Sequence, residues 1–204
     1  MATFILFVLV LFLTPGPAVF LTISKTVTGG KKNGIVTGLG IALGDLIHTC
    51  ASVIGLSAIL MTSALAFEIV KYLGAAYLVY LGIITLIKKS KKSEKSFVKN
   101  VKTSGSFRQA LFIELLNPKT SLFFLAFLPQ FVQSNGTPVT TQLLILGITF
   151  VLMSILYTTL LSLITSVISN KLSFKFTKSS KWFGKAVGML YIGLGLRLAL
   201  QTRE

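Results

Sequence analysis

Four ionisable side chains lie within apolar stretches of the sequence, where they could act on a proton or on a charged solute. They are Asp45, His48, Glu114 and Lys119. A charged side chain at the centre of a bilayer is costly unless it is paired, hydrated or neutralised, and such residues usually mark an ion or substrate pathway. For Asp45 we therefore predict proton coupling or the binding of an amine, against the alternative of a simple helix–helix hydrogen bond.

The other three residues leave alternatives open. His48 lies three positions after Asp45, so its ring either takes part in transport or only bonds to that carboxylate. Glu114 either pairs with Lys119 or faces a cytoplasmic cavity. Lys119 needs a partner, and Asp45 and Glu114 are the only acidic residues deep enough to serve. A buried pair of opposite charge would complement a zwitterion, with its carboxylate towards Lys119 or a helix N-terminus and its ammonium towards Asp45 or free carbonyls.

Two helix-breaking motifs accompany these charges, TPGP at residues 14–17 and NPK at residues 117–119. Proline removes a backbone N–H and clashes with the preceding turn, so carbonyl oxygens are freed in an apolar setting. These oxygens need water, a solute or a side chain as a partner. We predict a locally unwound segment at TPGP, and at Pro118 either a packing kink or a second element of a site.

The breaks and Asp45 are predicted to lie at the same depth. At a rise of ~1.5 Å per residue, Pro15 lies ~18 Å from the outer end of its helix, and Asp45 and Asn117 each lie ~15 Å from an inner end. Because the hydrocarbon core is about 30 Å thick, all three are expected near the midplane.

The elements that position these residues are predicted to be transmembrane helices. The chain has 204 residues, of which 53% are hydrophobic and 12% charged, and its mean hydropathy is +0.83. This composition excludes an ordinary soluble globular protein. A spanning helix needs about 20 apolar residues, and six stretches qualify: 3–24, 34–62, 66–87, 107–132, 139–168 and 182–200.

The net charge of +15 is interpreted as a topology signal. Of the 20 basic residues, 16 fall in three alternate loops, 25–33, 88–108 and 170–185, and one falls on the other side. The rule that basic loops are cytoplasmic then places both termini outside the cytoplasm. We expect these charges to face anionic headgroups of membrane lipid and not nucleic acid. One histidine and one cysteine, Cys50, exclude an internal disulfide and a multi-histidine metal site, so no metal or cofactor is expected.

The two halves of the chain are predicted to be inverted repeats within one domain, 1–204. Repeat 1 covers 1–87, a basic linker 88–106, and repeat 2 107–204. Each half begins with a broken helix, and each last helix contains K-x-x-G-x-x-Y, which ends at Tyr77 in one and Tyr191 in the other. Because each half has an odd number of spans, three, the second copy starts on the opposite side of the membrane and is inverted. This arrangement is typical of secondary transporters, whose site lies at the midplane between the repeats. The two tyrosines are further candidates for lining that site.

Glycine pairs four positions apart permit close helix approach, either within the bundle or at the face of a homodimer. We predict packing roles for Gly34 with Gly38, Gly40 with Gly44, and Gly184 with Gly188.

Longer segments resemble a known family. They are FLTPGPAVFLTISKTVTGGKKNGIVTGLGIALGDLIH (12–48), KYLGAAYLVYLGI (71–83), FRQALFIELLNPKTSLFFLAFLPQFV (107–132) and GKAVGMLYIGLGLRLAL (184–200). Together they resemble the LysE/RhtB family of bacterial amino-acid exporters. The resemblance implies an inner-membrane exporter of amino acids or related solutes, energised by the proton gradient or membrane potential. The family's motif positions correspond to Pro15, Gly16, Pro17, Gly44, Asp45, Asn117, Pro118 and Lys119, and Thr14 precedes them.

Three other classes remain possible on the residues alone. An intramembrane enzyme could use Ser52 four residues after His48, but no positioning acid or oxyanion hole can be identified, so no catalytic residue is expected. A channel would also suit broken helices. A structural scaffold would leave Asp45 and TPGP unexplained.

Overall fold

The computed structural model describes residues 1–62, 64–87, 105–133 and 137–171, with six further positions between 189 and 200. The predicted linker 88–106 as far as residue 104, most of the sixth span and Tyr191 lie outside the described residues. Tyr77 lies within a described helix, but its side chain is outside the description. All regular structure in the described part is helical, in agreement with an all-α membrane protein.

Six α-helices follow one another in the described part. They are α1 (Ala2–Leu13), α2 (Pro17–Thr62), α3 (Ala64–Ile87), α4 (Ser106–Leu115), α5 (Pro118–Leu122) and α6 (Val139–Lys171). Helix α5 continues as a π-helical segment, Phe123–Phe127, and a 3₁₀ turn, Leu128–Phe131. By length and composition, Pro17–Gly55 and Val139–Ser169 can each cross a membrane, and Ser106–Phe131, bent by 45°, is a third candidate. The described residues thus show only some of the six predicted spans.

The chain reverses direction within α2, at Gly30. This glycine has φ 74° and ψ 177°, a conformation that favours a residue without Cβ. In a continuous helix Thr26 and Gly34 would be ~12 Å apart, yet a Cβ on Gly34 would overlap Thr26 Oγ1. The 17–29 and 31–62 arms therefore form a helical hairpin, so Pro17–Gly55 does not cross a membrane as one straight helix.

The hairpin corrects the loop predicted at 25–33. Helix continues on both sides of a single break, and Lys25, which the prediction placed in a solvated loop, is 1% exposed within the first arm. Lys31 and Lys32 just after the break are exposed. The reversal itself lies where the basic residues predicted it.

Two of the glycine pairs are confirmed as packing positions. Gly34 and Gly38 lie against α6, where an added Cβ on Gly38 would come within 2.9 Å of Thr158 Cβ. Gly40 and Gly44 lie against α4, and a Cβ on Gly44 would come within 2.8 Å of Glu114 Cβ. The pair at 184 and 188 lies outside the described residues.

Helix α6 has an apolar outer face and a polar inner face. Leu152, Leu156 and Leu160 are each about half exposed or more, whereas Ser154 and Thr158 are buried. This distribution is the reverse of a helix at the surface of a soluble protein, and it suits an outer face in lipid.

Two apolar clusters flank the helix breaks. The first joins Phe4 and Val8 of α1 to the 123–128 segment and to Leu143 of α6. The second joins Leu21 and Ile41 of α2 to Ala110 of α4. The breaks at 14–16 and 116–117 lie between these clusters along the chain, so the polar residues around them form a layer with apolar packing on either side.

Candidate functional site

The first break exposes backbone carbonyls between α1 and α2. Helix α1 ends at Leu13, Thr14 is extended with φ −80° and ψ 115°, and Pro17 begins α2. Pro15 has no N–H to give to the Leu11 carbonyl four residues earlier. That oxygen instead accepts hydrogen bonds from Lys119 Nζ at 2.6 Å and from the Thr14 amide at 3.3 Å, and the Thr14 carbonyl accepts from Lys119 Nζ at 2.9 Å.

The second break has the same construction between α4 and α5. Asn117 is extended with φ −78° and ψ 105°, and its Oδ1 accepts from the Lys119 amide at 3.2 Å, which caps α5. Pro118 has no N–H for the Glu114 carbonyl. That oxygen accepts from the Asn117 amide at 3.1 Å and is bonded to His48 Nε2 at 3.1 Å.

The two breaks therefore exchange partners across the two halves of the chain. Lys119, next to the second break, bonds to the carbonyl that Pro15 frees. His48, from the first half, bonds to the carbonyl that Pro118 frees. Each half supplies the donor that the other half lacks, which satisfies groups that would be costly to leave unpaired in an apolar environment.

These contacts differ from two of the predicted pairings. The ammonium of Lys119 contacts carbonyl oxygens and not the carboxylate that we expected. His48 bonds to the Glu114 carbonyl and not to Asp45, and its ring lies against Phe124 with centroids 5.8 Å apart. In both cases the side chain bonds to a carbonyl oxygen and not to a carboxylate, because that carbonyl has lost its usual amide partner in the helix.

Two buried carboxyl groups face each other beside the breaks. Asp45 is 1% exposed and Glu114 2% exposed. Asp45 lies within hydrogen-bonding reach of Ser154 and Glu114, while its Oδ2 has no hydrogen-bond partner within the described residues. Glu114 accepts from Asn117 Nδ2 at 3.3 Å on both oxygens and from the Thr120 hydroxyl.

A cavity of about 40 Å³ opens between these groups. This volume can hold water molecules. Its lining carries both signs of charge and further polar groups, with Asp45, Glu114, Asn117, Lys119, Thr120 and Ser154. It also includes the apolar residues Leu11, Phe12, Ala18, Val19 and Ile41. The lining therefore offers both charged and apolar contacts.

The structure places most of the predicted site residues in or around this cavity. Gly16 lines it together with the acidic and basic residues above. Thr14 takes part through its carbonyl, and Gly44 packs behind Glu114. Pro15, Pro17 and Pro118 shape the breaks, and His48 contacts the back of the site without lining it.

Sequence reasoning missed the apolar lining residues and also four that carry a hydroxyl group, Thr120, Ser154, Tyr157 and Thr158. Ser154 and Thr158 belong to a series of small hydroxyl residues at three- and four-residue spacing in an apolar helix, continued by Ser162 and Thr165. That spacing was a usable signal for an inward polar face. Within the described ranges, no three His, Cys, Asp or Glu side chains gather as a metal site would require.

Broken helices that meet at a buried cavity with both signs of charge are typical of membrane transport proteins. Comparison with known proteins defines the class further. The family model for the LysE type translocator matches residues 9–202, and the chain belongs to this family. It is therefore a membrane translocator and not an enzyme.

Individual relatives cover nearly the same length. The uncharacterized membrane protein YrhP of Bacillus subtilis is 34% identical over 195 residues, which is 91% of each chain. Leucine efflux proteins of Salmonella typhimurium and of an Enterobacter species are each 29% identical over 198 residues, covering 97% of this chain and 93% of theirs. No solved structure matches.

Proposed function

We propose that this protein exports amino acids across the bacterial inner membrane as a secondary transporter driven by the proton gradient. Membership of the translocator family and relatives named leucine efflux proteins support the transport of an amino acid. The single observation that carries the proposal is the cavity at the two helix breaks, where Asp45 and Glu114 lie with Lys119. An amino acid is a zwitterion and needs groups of both charges within a few ångströms.

The apolar residues that line the cavity favour an amino acid with an aliphatic side chain. Leu11, Val19 and Ile41 offer methyl groups and no hydrogen-bonding side chains. A charged or strongly polar substrate side chain would lose its hydration there without gaining a partner. We therefore propose leucine and similar neutral amino acids as substrates, as the names of the relatives also suggest.

The facing carboxyl groups support coupling to protons. Two carboxyl groups in contact can share a proton, and Asp45 and Glu114 lie within hydrogen-bonding reach of each other. A substrate ammonium bound in the same cavity would favour release of that proton. Proton entry and amino-acid exit would then alternate at one site, as in antiport.

The six-span inverted repeat, with repeats 1–87 and 107–204 and a basic cytoplasmic linker, is part of the proposal. Each half begins with a helix that breaks at a proline, Pro15 in the first half and Pro118 in the second, and this supports related halves. Three further points remain proposals as well: the basic loops are cytoplasmic and face lipid headgroups, both termini lie outside the cytoplasm, and the protein forms a homodimer.

The test is transport by the purified protein in proteoliposomes. Counterflow of labelled leucine is expected, with competition from isoleucine and valine and little from lysine or aspartate. An imposed proton gradient should drive accumulation, which a protonophore should abolish. No transport across a broad panel would overturn the amino-acid proposal, and transport without a protonophore effect would overturn proton coupling alone. A channel, the second candidate, would show neither saturation nor accumulation.

A further inference from the structure

The ammonium of Lys119 fills a site made of backbone oxygens. Its Nζ lies 2.6 Å from the Leu11 oxygen and 2.9 Å from the Thr14 oxygen. The side chain passes close to Gly16, where an added Cβ would lie 3.7 Å from Lys119 Cδ. A primary ammonium has three N–H donors, of which two are taken by these carbonyls, and Lys119 is among the residues that line the cavity.

These carbonyls attract a cation for two independent reasons. The Leu11 oxygen lacks the usual amide partner four residues later, because Pro15 has no N–H, and keeps only the 3.3 Å bond from the Thr14 amide. Both oxygens also lie at the C-terminal end of α1, where the helix dipole places partial negative charge. The ammonium occupies this position although two buried carboxyl groups line the same cavity and Asp45 Oδ2 has no partner among the described residues.

The second break is closed by more rigid groups. The Glu114 carbonyl is bonded to the Asn117 backbone amide and to His48, whose ring is stacked on Phe124. The Leu11 carbonyl at the first break is likewise bonded to a backbone amide, that of Thr14, but its second partner is a flexible side chain with a four-carbon stem. Lys119 can therefore leave its carbonyls through a change of side-chain rotamers, whereas His48 would also have to give up its stacking on Phe124.

We propose that the Leu11 and Thr14 carbonyl oxygens form the binding site for the ammonium group of the substrate, and that Lys119 fills this site while the transporter is empty. The inference rests on the proposed function. The substrate's ammonium replaces Nζ on the carbonyls, and the displaced Lys119 pairs with the substrate's carboxylate in the same cavity. One cation is exchanged for another, so neither the carbonyls nor the substrate's carboxylate is left without a partner.

The test uses an amine without a carboxylate, 3-methylbutylamine, and the purified protein. In wild type this amine must displace Lys119 and gains no salt bridge in return. In Lys119→Met the site is vacant and the stem volume is kept, so the amine is expected to bind about tenfold tighter or more, the value of one or two charge-assisted hydrogen bonds. Binding is measured by titration calorimetry, with Lys32→Met, at an exposed lysine of α2, as the matched control.

A quaternary analogue separates recognition of N–H donors from simple charge attraction. Trimethyl(3-methylbutyl)ammonium has no N–H and is expected to show no gain in Lys119→Met. Equal affinity of the primary amine for wild type and Lys119→Met, or an equal gain for the quaternary ion, would overturn the inference.

A second variant tests the same site if Lys119→Met does not fold. Pro15→Ala restores an amide that can bond to the Leu11 oxygen, and it should weaken binding of the primary amine, whereas Pro138→Ala in the exposed segment before α6 should not. Unchanged binding in Pro15→Ala would overturn the inference. Amine binding can be measured without transport. Tighter amine binding by Lys119→Met without any amino-acid transport by wild type would contradict the proposed function alone. Amino-acid transport by wild type with equal amine affinity of wild type and Lys119→Met would contradict this inference alone.

Discussion

At the scale of single residues, the site depends on groups whose usual partners are missing. Pro15 and Pro118 each remove an amide, and Lys119 and His48 supply the donors that replace them. Asp45 is the buried acid with an oxygen left unpaired in the described part of the chain. For each of these residues a conservative substitution can keep the shape of the side chain and remove one chemical property.

Asp45→Asn is expected to separate exchange from gradient-driven transport. The amide keeps the size of the side chain and a hydrogen-bonding group for Ser154, but it cannot carry a proton on and off. Accumulation driven by a proton gradient should therefore fall to the level of protein-free vesicles, while leucine counterflow persists. Glu68→Gln, at an exposed acid of α3, is the control and should behave as wild type. Full gradient-driven accumulation by Asp45→Asn would show that its carboxyl group does not couple protons.

His48→Phe should lower thermal stability more than His48→Gln. Phenylalanine keeps the stacking on Phe124 but offers no donor to the Glu114 carbonyl, and an under-satisfied buried carbonyl costs about 1–3 kcal/mol. Glutamine retains an N–H donor. The melting temperatures of the purified variants check this, and equal values for the two would mean that the hydrogen bond contributes little.

At the scale of elements, close packing of α2 on α4 and α6 fixes the cavity. Glycines at 34, 38, 40 and 44 let those helices approach, and any Cβ there would meet a neighbouring side chain or carbonyl. Glu114 is held directly against Gly44, so the position of a site carboxylate depends on a glycine in another helix.

Gly44→Ala is expected to destabilise the protein and to disturb the site. The new Cβ would lie 2.8 Å from Glu114 Cβ, and overpacking of this kind costs about 1–3 kcal/mol. Gly55→Ala is the matched control on the same helix, because nothing lies within 4 Å of a Cβ added there. The melting temperature and leucine counterflow should both fall in Gly44→Ala alone, and a wild-type melting temperature would contradict the close approach.

Sequence reasoning succeeded where the physical requirement was local. Helix breaks at TPGP and NPK follow from proline chemistry, and the pairs at 34–38 and 40–44 follow from residue size. The partner of Lys119 could not be found this way, because it is a backbone oxygen of another segment and carries no sequence signal. The predicted loop at 25–33 was too long for a related reason: its lysines were assigned to solvent by residue type, although Lys25 is buried.

At the scale of the whole molecule, the described helices define two ends. The Gly30 reversal, the beginning of α4 and the last turns of α6 lie at one end, since Gly34 packs against Ser162 and Gly40 against Ala110. The start of α1, Phe131 and the start of α6 lie at the other, joined by the first apolar cluster. The described basic residues Lys31 and Lys32 after Gly30, Arg108 in the first turn of α4 and Lys171 at the end of α6 thus belong to the same end, as the proposed cytoplasmic face requires.

Cysteine accessibility tests the orientation of these ends. In a Cys50→Ala background, which removes the single native cysteine, Lys32→Cys marks the basic end and Gln133→Cys the opposite end, and both positions are exposed. A membrane-impermeant maleimide should label Gln133→Cys in intact spheroplasts and Lys32→Cys only after permeabilisation. The reverse pattern would mean that the basic segments face outward and that the direction of transport must be reassigned. Labelling of both in intact spheroplasts would contradict a membrane between the two ends, because the 106–131 segment, at ~1.5 Å per residue, is long enough to separate them by the full hydrocarbon core of about 30 Å.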